Sequence, residues 1–259
     1  MSVALTIDLD FFFDPVLRSF AATPLKSDED RQKADFEQSL WVGNDLISEL
    51  NLYLRSLCTE TCFHCVNEHN ETLRYICEAV STGRLSRPFT LINFDGHSDL
   101  YRNQLDKHYD QADRIQCYQL PQLTDEASWV WVLHKLQWID TYIWIKPTPH
   151  FLSFSLPELP RGYIEAQSKQ VMDWIRNNSA TQSWVDEMYK GKYPQLLKDS
   201  FQRLRATRFG RSFHIEVCEL DLDSLPVETV QCVTLCRSPG FTPAKADRLY
   251  DRIVASVPI

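Results

Sequence analysis

Residues 89–100 read "FTLINFDGHSDL". The run begins as an apolar, β-prone segment and turns polar at Asp95, His97 and Asp99, which fall at every second position. Alternate residues of an extended segment share one face, so two carboxylates and an imidazole can converge, with Gly96 letting the backbone turn. Hard oxygen donors with one imidazole suit manganese, magnesium or zinc better than a thiolate-seeking ion. The competing reading is a turn in which Asp95 and Ser98 cap the segment that follows. The stretch alone does not separate the two.

The surrounding chain repeats its first half. Apolar β-rich runs at 3–10, 62–67, 89–95, 139–146, 212–222 and 230–236 alternate with helical patterns at about 34–57, 70–81, 124–137, 163–178, 194–206 and 242–256. That alternation predicts an α/β fold with a mainly parallel central sheet, as a single domain over 1–259. Leu46, Leu50 and Leu54 share one face of the first helix. Gly83 falls where a helix C′ glycine belongs. Thr242 and Pro243 are the expected N-cap and first residue of the last helix. Pro147, Pro149, Pro157 and Pro160 mark a long loop.

The chain also repeats the second half of that stretch. In an open α/β sheet, ligands bind beyond the carboxyl ends of the strands. Four polar clusters sit at such ends: Asp8/Asp10, Glu68/His69, Asp95/His97/Asp99 and Glu219/Asp221/Asp223. Four acidic strand ends in one fold need cations to neutralise them. Asp8 and Asp10 share a strand face in "TIDLDFFFDP", and the three phenylalanines that follow imply partial burial. His69 can add a nitrogen ligand, with Glu68 orienting it from behind; otherwise the pair opens a helix, where acids are favoured. Glu219, Asp221 and Asp223 can bind metal, or pair with a guanidinium, or line a wet edge strand.

Composition narrows the partners. A net charge of −8 disfavours nucleic acid and anionic membrane surfaces, and suits a cationic substrate or bound metal. No apolar run is long enough to span a membrane. The start "MSVALTIDLDFFF" lacks a basic n-region, so the expected location is the cytoplasm. The eight cysteines fall mostly in apolar segments, and are expected to be reduced and mainly buried. Cys58, Cys62 and Cys65 form a C-x3-C-x2-C run, the spacing of radical enzymes that hold an iron–sulfur cluster with S-adenosylmethionine. However, Cys65 continues straight into the strand before Glu68, where a cluster loop should follow its strand.

Taken together, these residues resemble the arginase/deacetylase superfamily, most closely its divergent branch containing the peptide arginases. "FDGHSDL" is similar to the superfamily's D-A-H-x-D element, "VNEHNETL" to the branch's E-D-H-x-E-x-L element, and "TIDLDFFFDP" to its D-I-D-L-D-F-F element. Asn67 stands where the second element begins with an acid. "TYIWIKPTP" and "VTLCRSPGFTP" resemble further segments of the branch. In the branch the D-L-D-F-F element follows the D-x-H-x-D element; here it comes first. The resemblance therefore implies a circularly permuted, three-layer α/β/α arginase-like fold, or else Asp221 and Asp223 filling the role of Asp8 and Asp10.

The resemblance implies two manganese ions, with other divalent metals as substitutes, held by Asp8, Asp10, His69, Asp95, His97 and Asp99. It implies hydrolysis of arginine side chains in a precursor peptide to ornithine and urea, as in maturation of ribosomally made peptides. Asp99 would relay a proton and His150, or alternatively His108, would shuttle it; Glu219 and Glu68 would meet the substrate. Loops 11–33, 100–120 and 147–162 would wall its groove. Rival readings keep the metals or drop them: a ureohydrolase for free arginine or agmatine, a one-zinc amide deacetylase, a metal-binding module without catalysis, or the radical enzyme. The sequence leaves the oligomeric state open.

Overall fold

The computed structural model describes residues 2–13, 29, 31, 44–57, 59–97, 99, 119–145, 214–218 and 221–257. Among them, six strands form one sheet: β1 (Val3–Asp8), β2 (Cys62–Val66), β3 (Phe89–Phe94), β4 (Ile139–Ile145), β5 (His214–Cys218) and β6 (Val230–Cys236). Their order is β2-β6-β1-β3-β4-β5, and every neighbouring pair is parallel. The helices are α1 (Asn44–Ser56), α2 (Thr72–Ser81), the short α3 (Leu120–Leu123), α4 (Trp129–Lys135) and α5 (Ala246–Val254).

The central strands β1 and β3 are buried at every residue, which is why they read as continuous apolar runs rather than alternating ones. Helices flank both faces. On one, Val3, Leu5 and Ile7 pack into a cluster with Ile47, Leu50 and Leu54 of α1 and Leu249 and Ile253 of α5. Each such fully buried aliphatic side chain contributes about 1.5–3 kcal/mol. On the other face, Thr72 of α2 donates to Thr234 of β6 at 3.2 Å, and His64 of β2 stacks on Tyr75 of α2.

The chain leaves β1 toward β2 on one side of the sheet and returns to β3 on the other. That reversal opens a crevice at the carboxyl ends of β1 and β3, where doubly wound sheets bind their ligands.

Several expected boundaries shift, each for a local reason. β1 stops at Asp8, because Asp8 accepts the Asp10 N–H at 2.9 Å and starts a tight turn over Leu9–Phe12. Asp8 and Asp10 therefore do not share a strand face as expected. The helix expected over 124–137 begins only at Trp129, since Asp125 and Ser128 hydrogen-bond each other and hold a turn before it. Thr242 does not cap α5: its hydroxyl donates back to the Ser238 carbonyl at 2.9 Å, and the helix begins at Ala246. β5 ends at Cys218, and Leu222–Ser224 form a separate turn, so Asp221 and Asp223 are not on a strand face. Gly83 does close α2 with φ +75°, a left-handed conformation that glycine adopts without strain. The expected helices 163–178 and 194–206, residues 34–43 and the proline-rich loop lie outside the described residues.

Candidate metal centre

The crevice collects side chains from three strand ends. Asp8 ends β1 and Asp10 follows it, His69 follows β2, and Asp95, His97 and Asp99 follow β3. His69 Nδ1 lies 3.2 Å from Asp8 Oδ2, 3.0 Å from Asp95 Oδ2 and 2.9 Å from Asp99 Oδ2. One imidazole proton serves one acceptor well, not three. Donor atoms held at right angles around an ion at about 2.1 Å, by contrast, stand about 3 Å apart. The spacing fits a cation among them.

A second group adjoins the first. His97 Nδ1 is 2.8 Å from Asp10 Oδ2 and 3.7 Å from Asp95 Oδ1. Asp95 thus turns one oxygen to each group: Asp8, His69 and Asp95 form one potential ion site, and Asp10, Asp95 and His97 the other. Asp8, Asp10, Asp95 and Asp99 are each at most 3 % exposed. Four buried carboxylates are matched in charge by two divalent cations, with both imidazoles neutral. The side chain of His97 is 27 % exposed, so the crevice opens on its side, beside Phe241.

Surrounding groups aim these ligands. Asp95 Oδ2 accepts from Asn93 Nδ2 at 3.1 Å, and Oδ1 from the His97 N–H at 2.7 Å. Asn93 is itself held by the Thr6 hydroxyl and by Tyr142. Asp10 Oδ1 accepts the Gly96 N–H at 3.1 Å, tying the turn after β3 to the turn after β1. Ser238, two residues beyond β6, donates to Asp8 Oδ2 at 2.5 Å. Trp129 Nε1 donates to Asp99 Oδ2 at 2.6 Å. Asp99 and Ser238 both adopt positive φ, 50° and 45°. Such strain in non-glycine residues clusters where a structure over-determines a functional geometry.

Without cations the site is electrostatically divided. Burial pushes the Asp10 carboxyl up to about 6, the Asp8 and Asp95 charges adding to it and His97 opposing. Burial and the Asp95 charge likewise hold Asp99 well above the usual carboxylate range. Burial would raise Asp95 too, but His69 and His97 overcome it and keep that carboxyl well below the range. Burial disfavours charge on both histidines, yet the surrounding carboxylates raise each imidazole well above its ordinary value. Protons occupy the gaps that metal charge would fill.

The remaining expected residues are placed differently. Glu68 is exposed and works with Glu71 as a capping pair for the turn over His69–Glu71. It does not support the His69 ring, whose Nε2 has no hydrogen-bond partner among the described residues. Asp221 and Asp223 are exposed and flank a groove along α1, apart from the candidate metal centre. Asp221→Asn and Asp223→Asn should therefore leave metal content and any turnover within about twofold of the parent; loss of an ion in either variant, by elemental analysis, would reverse this placement. Cys62 and Cys65 lie three apart on β2 and so point to opposite faces, which rules out their sharing an iron–sulfur cluster. Glu219, His108 and His150 lie outside the described residues.

Sequence reading missed Asn93, Trp129, Tyr142, Ser238 and Glu126. Applying the strand-end rule to β6 would have found Ser238; no sequence pattern marks Trp129. Glu126 follows the α3 turn, and burial together with the charges of Asp8 and Glu68 pushes its carboxyl up to about 7. Trp129→Phe tests the support of Asp99. If the crevice holds a divalent cation, the change should weaken its binding about 10–100-fold, the usual cost of losing a group that orients a ligand; unchanged affinity in a metal titration would show that Asp99 needs no such anchor.

No family model, curated protein or solved structure matches this chain.

Proposed function

We propose that this chain is a two-metal hydrolase that removes urea from arginine side chains of a peptide and leaves ornithine, with two manganese ions as resident cofactors. The observation that carries the two-metal reading is Asp95, whose two oxygens face two separate Asp/His groups. The guanidinium and peptide parts of the proposal rest on the motif resemblance of "FDGHSDL", "VNEHNETL" and "TIDLDFFFDP". The position of Asp8 and Asp10 beside Asp95 and His97 supports a circularly permuted arginase-like order over one that uses Asp221 and Asp223.

Bound in the crevice, the ion pair would supply a water of lowered pKa and polarise the group under attack. Asp8, Asp10, His69, Asp95, His97 and Asp99 hold it there. Glu126, on which the charges of Asp8, Glu68 and Asp10 act, adds to an acidic surrounding that favours a cationic guanidinium, with Glu68 and Glu219 as the proposed substrate-facing carboxylates. Asp99 is the internal group suited to hold a proton and pass it to the leaving amine, with His150 exchanging it with solvent.

The test is to load the protein with manganese, incubate it with an arginine-containing peptide and with free arginine and agmatine, and measure urea and mass. A loss of about 42 Da per arginine in the peptide, with matching urea, is the expected result. Urea from the free compounds alone would move the assignment to a small-molecule ureohydrolase. One tightly held zinc and release of acetate from an acylated amine would move it to a deacetylase. No reaction at two ions per chain would overturn the hydrolysis reading.

A further inference from the structure

A second chemically distinctive site lies toward the opposite, amino ends of β2 and β6. Cys62 opens β2 and its register partner on β6 is Cys232. Register partners on parallel strands point to the same face, and adjacent strands stand about 4.8 Å apart. That separation lies within the Cα range over which a disulfide closes, about 4.4–6.8 Å. The two thiols face α2: Cys232 precedes Thr234, which bonds Thr72 of that helix, and His64, on the same face of β2 as Cys62, stacks on Tyr75.

The two sulfurs differ in access. Cys232 is 1 % exposed, whereas Cys62 is half-buried and lines an open cavity of about 640 Å³ with Thr59, Glu60, Arg84, Glu228 and Gln231. Arg84, placed by the turn that follows Gly83, donates from its guanidinium to Cys62 Sγ at 2.8 Å. A guanidinium there pairs with an anionic sulfur and with the oxygen of a sulfenate. The metal centre uses neither cysteine, nor Arg84.

We propose that Cys62 and Cys232 are a reversible, peroxide-responsive thiol pair in which Cys62 is oxidised first and Cys232 resolves it. In the first step the Cys62 sulfur bonds one oxygen of hydrogen peroxide as the O–O bond breaks. The departing hydroxide takes the thiol proton and leaves as water, and Cys62 becomes a sulfenic acid, oxidised by two electrons. In the second step the Cys232 sulfur bonds the Cys62 sulfur and displaces hydroxide, which takes the Cys232 proton and leaves as a second water. Burial pushes the Cys232 thiol up to about 12, so the second step is the slower one. Arg84 stabilises the charge at Cys62 in both.

The experiment treats the 259-residue protein, incubated with manganese, with hydrogen peroxide and maps its cysteines by mass spectrometry. The expected product is a Cys62–Cys232 cross-linked peptide lighter by about 2 Da, restored by dithiothreitol. Cys232→Ser should stop the reaction at a dimedone-trapped sulfenic acid on Cys62, and Arg84→Gln should slow Cys62 oxidation by about fivefold or more. Cys65 is the internal control, being the more exposed thiol of the same strand. Oxidation of Cys65 ahead of Cys62, or a disulfide linking any other cysteines, or none, would overturn the proposal. The wild-type mapping decides the case even if a variant fails to fold.

Discussion

On the two-metal hydrolase proposed above, Asp95→Ala is expected to lose both metal ions, not one, and to lower turnover on the order of 10³-fold or more. The expectation follows from the geometry at its carboxylate. Oδ2 stands 3.0 Å from His69 Nδ1 and Oδ1 3.7 Å from His97 Nδ1, so each potential ion site loses a donor at once. Imidazoles on two sides also hold the Asp95 carboxyl below the usual carboxylate range against the effect of its burial. His97→Ala removes a donor from the second group only, and should leave one tightly bound ion. Elemental analysis after dialysis separates the two outcomes. An Asp95→Ala protein that keeps an ion would show that the centre is not built on a shared carboxylate. The fold should survive the change, because Asn93 keeps its bonds to Thr6 and Tyr142 and a buried charge is removed.

Manganese should raise the melting temperature substantially, and a chelator should reverse it. At about 100 times the dissociation constant, a ligand that binds only the folded state adds roughly 2.7 kcal/mol, worth about 5–10 °C in a chain of this size. The gain should widen with pH. Burial moves Asp10 from its ordinary value of 3.8 to about 6 in the folded, metal-free state. A raised folded pKa favours that state in full below the unfolded value and ceases to do so as pH rises through the folded one. Metal-free protein therefore loses this contribution between about pH 4 and 6, while metal binding, which must displace the proton, becomes easier. His69 and His97, also raised, carry the trend upward. Equal melting temperatures with and without manganese at neutral pH would count against a cation in the crevice.

Much of the α/β architecture was readable because periodicity is a local property. The runs at 89–95, 62–67 and 230–236 match strands Phe89–Phe94, Cys62–Val66 and Val230–Cys236 almost to the residue. Errors gathered where side chains compete with the backbone for hydrogen bonds. Asp8 ended its strand by accepting a neighbouring N–H, and Asp125 with Ser128 delayed a helix. Thr242 bonded backward instead of capping forward. Such choices depend on which partner lies in reach, and propensity does not say.

By itself the sequence determined that apolar strands end in carboxylates and histidines, since both facts lie within stretches of ten residues. It also placed Asp95, His97 and Asp99 together, because a single turn joins them. Only the tertiary structure decided that Asp8 and Asp10, not Asp221 and Asp223, stand beside them. That choice turns on strand order: β1 is hydrogen-bonded directly to β3, bringing positions more than eighty residues apart into one crevice, whereas the turn after β5 lies exposed along α1. Strand order is set by how whole faces bury against one another, a sum over long-range contacts that no local pattern encodes. Trp129 and Asn93 were silent because the first bonds a carboxylate thirty residues away and the second acts from within the buried core, whereas Ser238, two residues past a strand end, was within reach of the strand-end rule.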